Sequence, residues 1–157
     1  MSTGALRHRS LVSVLVIGFI AGALAVLIFH QVAIWLLTSF GAIQGTPYSL
    51  RPIAPFGVPQ VINSVFWGGL WGCVFALLAD RFPRSWPLWL AGILFGLLGP
   101  MLVNWFVVAP IKGQPAAQGF NPARMWPSAI IGGLFGLGTA VFYDLLRRWA
   151  PGQARWS

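Results

Sequence analysis

The residues able to do chemistry are few, and most of them lie within or beside apolar stretches. The chain has two carboxylates, Asp80 and Asp144, two histidines, His8 and His30, and a single cysteine, Cys73. One cysteine excludes an intrachain disulfide and makes no thiolate metal site. No paired carboxylates lie within the apolar stretches, and no nucleophile, base and orienting acid occur together as a catalytic set. We therefore predict that the protein is not an enzyme.

His30, Asn63 and Asn104 are polar residues inside stretches that are otherwise apolar. A polar group is costly in hydrocarbon, so it usually faces protein or water. The three residues could line a small polar cavity with His30 as proton acceptor or ligand contact, and helical geometry allows His30 to meet Asn104. The alternative is ordinary hydrogen bonding between helices, worth about 1 kcal/mol per contact.

A cofactor has little to bind to in this sequence. His8 precedes the first apolar stretch, so His8 and His30 do not clamp one haem. Zinc needs three or four converging ligands, which the few candidate side chains do not supply. We predict no metal and no cofactor.

Long apolar segments must position these residues. Of 157 residues, 57% are hydrophobic and only 8% are charged, where soluble domains have about 25% charged residues. Lipid solvates such a surface, and a span needs about 20 residues. Four segments qualify, at about 11–37, 58–79, 86–108 and 127–146. We predict an all-α integral membrane four-helix bundle that forms one transmembrane domain over residues 1–157.

The basic residues predict the orientation of these segments. Seven lie on the side of the two chain ends: Arg7, Arg9, Arg81, Arg84, Arg147, Arg148 and Arg155. Three lie on the other side: Arg51, Lys112 and Arg124. This asymmetry favours a multi-pass protein of the cytoplasmic (inner) membrane with both termini in the cytoplasm. Basic residues scattered at segment ends also argue against a nucleic-acid partner.

The first segment has a second interpretation. Arg7 and Arg9, an apolar stretch and then Ala23-Leu24-Ala25 resemble a secretory signal with its cleavage site. The apolar run continues to Leu37, which favours a retained span.

Each predicted span contains one Gly-x-x-x-Gly pair, a spacing that lets membrane helices approach closely. The pairs are Gly18/Gly22, Gly68/Gly72, Gly92/Gly96 and Gly132/Gly136. An offset of 64 residues places the second pair on the fourth, as from Gly68 to Gly132, and an offset of 74 places the first on the third, as from Gly18 to Gly92. We interpret this as two parallel-repeat helical hairpins. Chance likeness between apolar, glycine-rich helices is the alternative.

The two acids each precede an arginine by four residues. Asp80 precedes Arg84, and Asp144 precedes Arg148. This is the spacing of an ion pair on a helix, and both acids lie at the cytoplasmic ends of predicted spans. A proton-coupling carboxylate is the alternative, although such acids are expected near mid-membrane.

These observations favour a small polytopic membrane protein with a non-enzymatic role. Our leading hypothesis is an accessory or assembly subunit that packs through its Gly-x-x-x-Gly faces, in a homo-oligomer or in a larger membrane complex. The alternative is a small channel or transporter whose polar entry lies near His30 and Asn104. A membrane enzyme ranks third, because catalytic groups are missing.

Overall fold

Four long helices make up most of the chain. A computed structural model describes residues 10–149; the predicted cytoplasmic tails, with His8 and Arg155, lie outside the described residues. The helices are α1 (Leu11–Ser39), α2 (Gln60–Arg81), α3 (Leu88–Ile111) and α4 (Pro122–Trp149). Each is long and apolar enough to cross a membrane. The predictions of an all-helical fold and of four apolar helices are confirmed, and the chain has the character of a multi-pass membrane protein.

The fourth helix is longer than predicted. It begins at Pro122 rather than near Pro127 and continues to Trp149. Asn121 explains the early start, because its side-chain oxygen accepts a hydrogen bond from the Ala123 backbone nitrogen at 3.0 Å. Proline favours the first helical position, where its missing N–H is not needed. Pro127 lies inside the helix and is fully buried.

Two of the four helices depart from regular α geometry in their second halves. In α1, a π-helical turn over Val26–His30 separates α-helical Leu11–Ala25 from Gln31–Ser39. In α3, π-helical turns cover Leu97–Met101 and Asn104–Val108, and the first of them contains Pro100. Proline lacks the N–H that would bond to the carbonyl four residues back, so the wider turn occurs where the α pattern is broken.

The connections at one end of the molecule carry the remaining regular structure. Two short strands, β1 (Pro52–Ile53) and β2 (Val58–Pro59), pair antiparallel between α1 and α2. A tight segment that we call the 3₁₀ segment, Ala116–Phe120, lies between α3 and α4, and its residues 117–120 have left-handed backbone angles with positive φ. Both places lie between the predicted spans.

The helices run alternately up and down. The start of α1, the end of α2, the start of α3 and the end of α4 meet at one end, where Val14, Phe82, Leu88 and Leu146 pack around a single core cluster. We call this the basic end, because Arg81, Arg84, Arg147 and Arg148 are close in sequence to these residues. The strands and the 3₁₀ segment lie at the opposite end.

An aromatic cluster fills the space between α2 and α3. The Phe75 ring is fully buried, with its centroid 5.2 Å from Phe95 and 5.7 Å from Tyr143. Trp71 joins it through an edge contact with Phe95 at 5.9 Å. In contrast, α1 packs closely on both α2 and α4, and α4 packs closely on α3. Large rings therefore hold α2 and α3 apart while the other neighbours approach each other.

Candidate functional site

The glycine pairs of α1 and α2 face each other. A β-carbon built on Gly18 would lie 2.6 Å from the Gly72 carbonyl oxygen, and one on Gly22 would overlap the carbonyl oxygen of Gly68. Seen from the other helix, a β-carbon on Gly72 would overlap the Gly18 carbonyl. The two backbones are therefore in direct contact, and no larger residue fits at the contact.

The second hairpin, α3–α4, repeats this contact pair by pair. A β-carbon on Gly92 would overlap the Gly136 carbonyl, and one on Gly96 would overlap that of Gly132. Beside the contact, the next small side chain is Ala140 in this hairpin and Ala76 in the first, at the offset of 64 residues. Both hairpins thus use the same residues at the same relative positions.

All four glycine pairs are consequently engaged within the chain. The members of the first hairpin and of α3 are buried, and Gly136 of α4 is buried with them. A partner protein would need a different surface, because these backbones already cover one another.

The hairpins differ at one further glycine beside each contact, Gly69 in the first and Gly133 in the second. The missing side chain leaves a notch in the helix surface there. In the first, the Phe19 ring covers Gly69, and a β-carbon there would lie 2.5 Å from its Cε2 atom. In the second, the equivalent glycine is Gly133, whose nearest side-chain atoms would be Ile93 Cγ2 at 3.8 Å and Leu97 Cδ2 at 3.9 Å. Ile93 occupies the position equivalent to Phe19 and is too short to cover the notch.

An outward-facing groove results on the second hairpin. It has a volume of about 440 Å³ and is lined entirely by apolar residues of α3 and α4. They include Ile93, Leu97, Ala129, Ile130, Gly133 and Leu137. We call it the notch groove. The groove is shallow and open, so it offers a surface on which an apolar side chain can pack, as the Phe19 ring packs over Gly69 in the first hairpin.

No hydrogen bond joins the predicted polar cavity residues within the part of the chain that the structure describes. His30 is half-buried, and its Nδ1 atom is buried without a hydrogen-bond partner. Asn63 is half-buried, and Asn104 is exposed on α3. Trp105, the neighbour of Asn104, is buried instead, and its indole Nε1 is also without a partner.

A polar contact that the sequence did not predict lies beside His30. The buried Gln31 side chain accepts a hydrogen bond from the Tyr48 backbone nitrogen at 2.8 Å. The Tyr48 hydroxyl donates to the Leu27 carbonyl at 2.7 Å, within the π-helical turn of α1. These bonds fasten the α1–α2 connection to the helix. The only sequence signal was a tyrosine in the connection between the first two predicted spans.

The two acids have different surroundings. Asp144 pairs with Arg148, as its spacing predicted, and also with Arg147, whose Nε donates to Oδ1 at 2.8 Å. Asp80 is exposed, and among residues 10–149 it forms no ion pair with Arg84. The physical reason is that α2 ends at Arg81 and Phe82 is already extended, one residue before Pro83.

Comparison of the chain with known proteins gives no match. No protein-family model, no curated protein and no solved structure matches it. Its function must therefore be inferred from its own geometry.

The described part of the chain contains no candidate metal site. No three His, Cys, Asp or Glu side chains of residues 10–149 come together as a group able to hold a metal ion. Cys73 is a free thiol whose Sγ donates to the Leu15 carbonyl at 3.3 Å, across the α1–α2 contact. That contact gives Cys73 a packing role.

Proposed function

We propose that this protein is a non-enzymatic accessory subunit of the cytoplasmic (inner) membrane that assembles with a larger membrane complex. The notch groove is the observation that carries this proposal. A helix of the partner would place a large apolar side chain over Gly133, as Phe19 covers Gly69 within the chain. In lipid, close packing of this kind, rather than burial of apolar surface from water, stabilises helix association.

The partner surface differs from the one that the Gly-x-x-x-Gly spacing suggested. The glycine pairs stabilise the subunit itself, and the neighbouring apolar groove remains for assembly. We also propose that the two hairpins are parallel repeats, since their glycine contacts match at offsets of 64 and 74 residues, as from Gly68 to Gly132 and from Gly18 to Gly92. The excess of arginine at the basic end supports termini in the cytoplasm. Reporter fusions at both termini test that orientation.

The experiment that tests assembly is purification from native membranes in mild detergent. The wild-type chain should elute with a partner, well above its own mass of 17.1 kDa. Gly133→Leu should abolish that association by filling the groove, and Gly133→Ala should weaken it with the fold intact, because a β-carbon at Gly133 meets only ordinary van der Waals contacts. Val74→Leu, on an exposed face of α2, is the matched control and should retain the partner. A wild-type chain found only as a monomer would contradict the proposal.

A channel or transporter is the second candidate, favoured by buried polar atoms without partners. Besides His30 Nδ1 and Trp105 Nε1, the Thr38 hydroxyl is buried without a hydrogen bond. Buried polar groups normally have partners, so water or a solute would complete these sites. Flux into proteoliposomes tests this function. His30→Ala should change the flux, and unchanged flux in both His30→Ala and Asn104→Ala would remove those residues from the mechanism.

A further inference from the structure

A second groove lies at the basic end, between the start of α3 and the end of α4. Its volume is about 530 Å³, larger than the notch groove, and its lining differs in kind. One part is apolar, formed by Leu88, Trp89, Val141 and Leu145. The other part is charged, formed by Asp144, Arg147 and Arg148. We call it the arginine groove.

The charged part of the lining is basic in composition. Two of its three charged residues are arginines and one is an aspartate, which contacts both guanidinium groups. Arg147 is oriented by Asp144 and by the Tyr143 ring, whose centroid lies 5.9 Å from the guanidinium carbon. The Arg148 side chain is 70% exposed and can reorient towards a ligand. The guanidinium fork matches the oxygens of a phosphate group better than an ammonium does.

The apolar part faces outward along the helices. Trp89 is 52% exposed, Leu145 48% and Val141 42%. In a membrane these side chains contact acyl chains, and an indole near a helix end is typical of the headgroup level. A groove that is apolar along its length and cationic at one end is complementary to an amphiphile with an anionic head.

We propose that the arginine groove binds one anionic phospholipid, with its phosphate at Arg147 and Arg148 and an acyl chain along Trp89, Val141 and Leu145. The site is independent of partner assembly at the notch groove, which lies further along α3 and α4. A basic residue near an anionic membrane surface contributes about 1 kcal/mol of attraction.

The first hairpin lacks this site. At the offset of 64 residues, Pro83 occupies the position equivalent to Arg147, and α2 has ended at Arg81. Phe82 packs against Phe75 with ring centroids 5.8 Å apart. Arg84 therefore follows the helix instead of lying on it. We expect one specific lipid per chain.

Native mass spectrometry of the full chain in detergent tests the proposal, with phosphatidylglycerol and phosphatidylcholine of identical acyl chains as probes. The wild type should bind one phosphatidylglycerol in preference to phosphatidylcholine. Arg148→Gln should weaken phosphatidylglycerol binding about fivefold, the factor that corresponds to about 1 kcal/mol. Arg147→Gln with Arg148→Gln should weaken it further and remove the preference.

Two further variants test whether a loss of lipid binding comes from the groove itself, from the lower overall charge or from misfolding. Arg81→Gln with Arg84→Gln removes the same charge from the same end outside the groove and should leave the affinity within twofold. Asp144→Asn should strengthen phosphatidylglycerol binding, since it removes the carboxylate that competes with the phosphate for both arginines. A misfolded variant would not bind more tightly.

Three results would overturn the proposal. They are equal binding of the two lipids by the wild type, an equal loss in the Arg81/Arg84 and Arg147/Arg148 double variants, and displacement of the lipid by an equal concentration of inorganic phosphate. The last would mean that the site recognises a free anion rather than a lipid.

Discussion

The hairpins α1–α2 and α3–α4 share one contact and differ around it. Their glycine pairs touch backbone to backbone at equivalent positions. Beside the contact, Phe19 covers the notch of the first hairpin, whereas Ile93 leaves that of the second open. At the basic end, Asp80 forms no ion pair among residues 10–149, whereas Asp144 pairs with two arginines. The shared contact defines the hairpin, and the two grooves described above, the notch groove and the arginine groove, both lie on the second hairpin.

The two contacts between the hairpins, α1 with α4 and α2 with α3, are also unlike each other. At positions equivalent by the offsets of 74 and 64 residues, α1 and α4 carry Ala21 and Thr139, whereas α3 and α2 carry Phe95 and Phe75. Small residues let α1 and α4 approach, and large rings separate α2 from α3. The contact of α1 with α4 therefore differs from that of α2 with α3, although the glycine contacts within the two hairpins are alike.

The largest effect is expected where the hairpins meet through the aromatic cluster. Phe75→Ala removes a fully buried ring with three aromatic neighbours and should destabilise the protein by about 3 kcal/mol. This is the low end of such losses, because lipid solvates an exposed ring and mainly the packing is lost. Thr139→Ala, at the equivalent position, should cost less than about 1 kcal/mol. Unfolding in detergent measures both, and equal losses would contradict the assigned asymmetry.

A glycine-to-alanine substitution should cost the same stability in either glycine contact. Gly22→Ala and Gly96→Ala each place a β-carbon on a facing carbonyl, so each should cost about 2 kcal/mol. The same unfolding measurement applies, with Gly133→Ala as a control that should change little. A large loss in one hairpin alone would show that the two contacts are not equivalent.

Filling the open notch should make the second hairpin resemble the first. Ile93→Phe copies the Phe19 arrangement over Gly133 and should stabilise the isolated chain by about 1 kcal/mol. The same change should weaken partner binding in the native-membrane purification, because the ring occupies the notch groove. Stabilisation with full partner retention would rule out the notch groove as the docking surface.

The smallest difference concerns the acids. Asp144→Asn should cost about 0.5 kcal/mol, since surface pairs on a helix contribute only a few tenths of a kcal/mol each. Asp80→Asn should leave the unfolding free energy unchanged, because Asp80 has no ion pair among the described residues. Comparing the two variants at low and high salt checks the assignment: the Asp144 effect should shrink with salt.

Particular residues show where sequence reasoning succeeded. The apolar segments predicted the helices within a few residues, because the cost of an unsatisfied backbone in lipid leaves little alternative to a helix. The start of α4 was less well predicted, since it depends on the Asn121 side chain, which accepts a hydrogen bond from the Ala123 backbone nitrogen. The Asp80–Arg84 pair was expected from the four-residue spacing. That spacing brings two side chains together only if both residues lie on the helix, and α2 ends before Arg84.

The sequence by itself determined that four helices form and that each carries a glycine pair, because apolar length and residue size are local properties. Only the tertiary structure decided which pair meets which, that all four are used within the chain, and that Tyr48 reaches Leu27 and Gln31. The physical reason is that helix neighbours in lipid are selected by close packing, which depends on side chains far apart in sequence. Phe19 and Ile93 look interchangeable in an apolar run, yet one covers a notch and the other leaves it open.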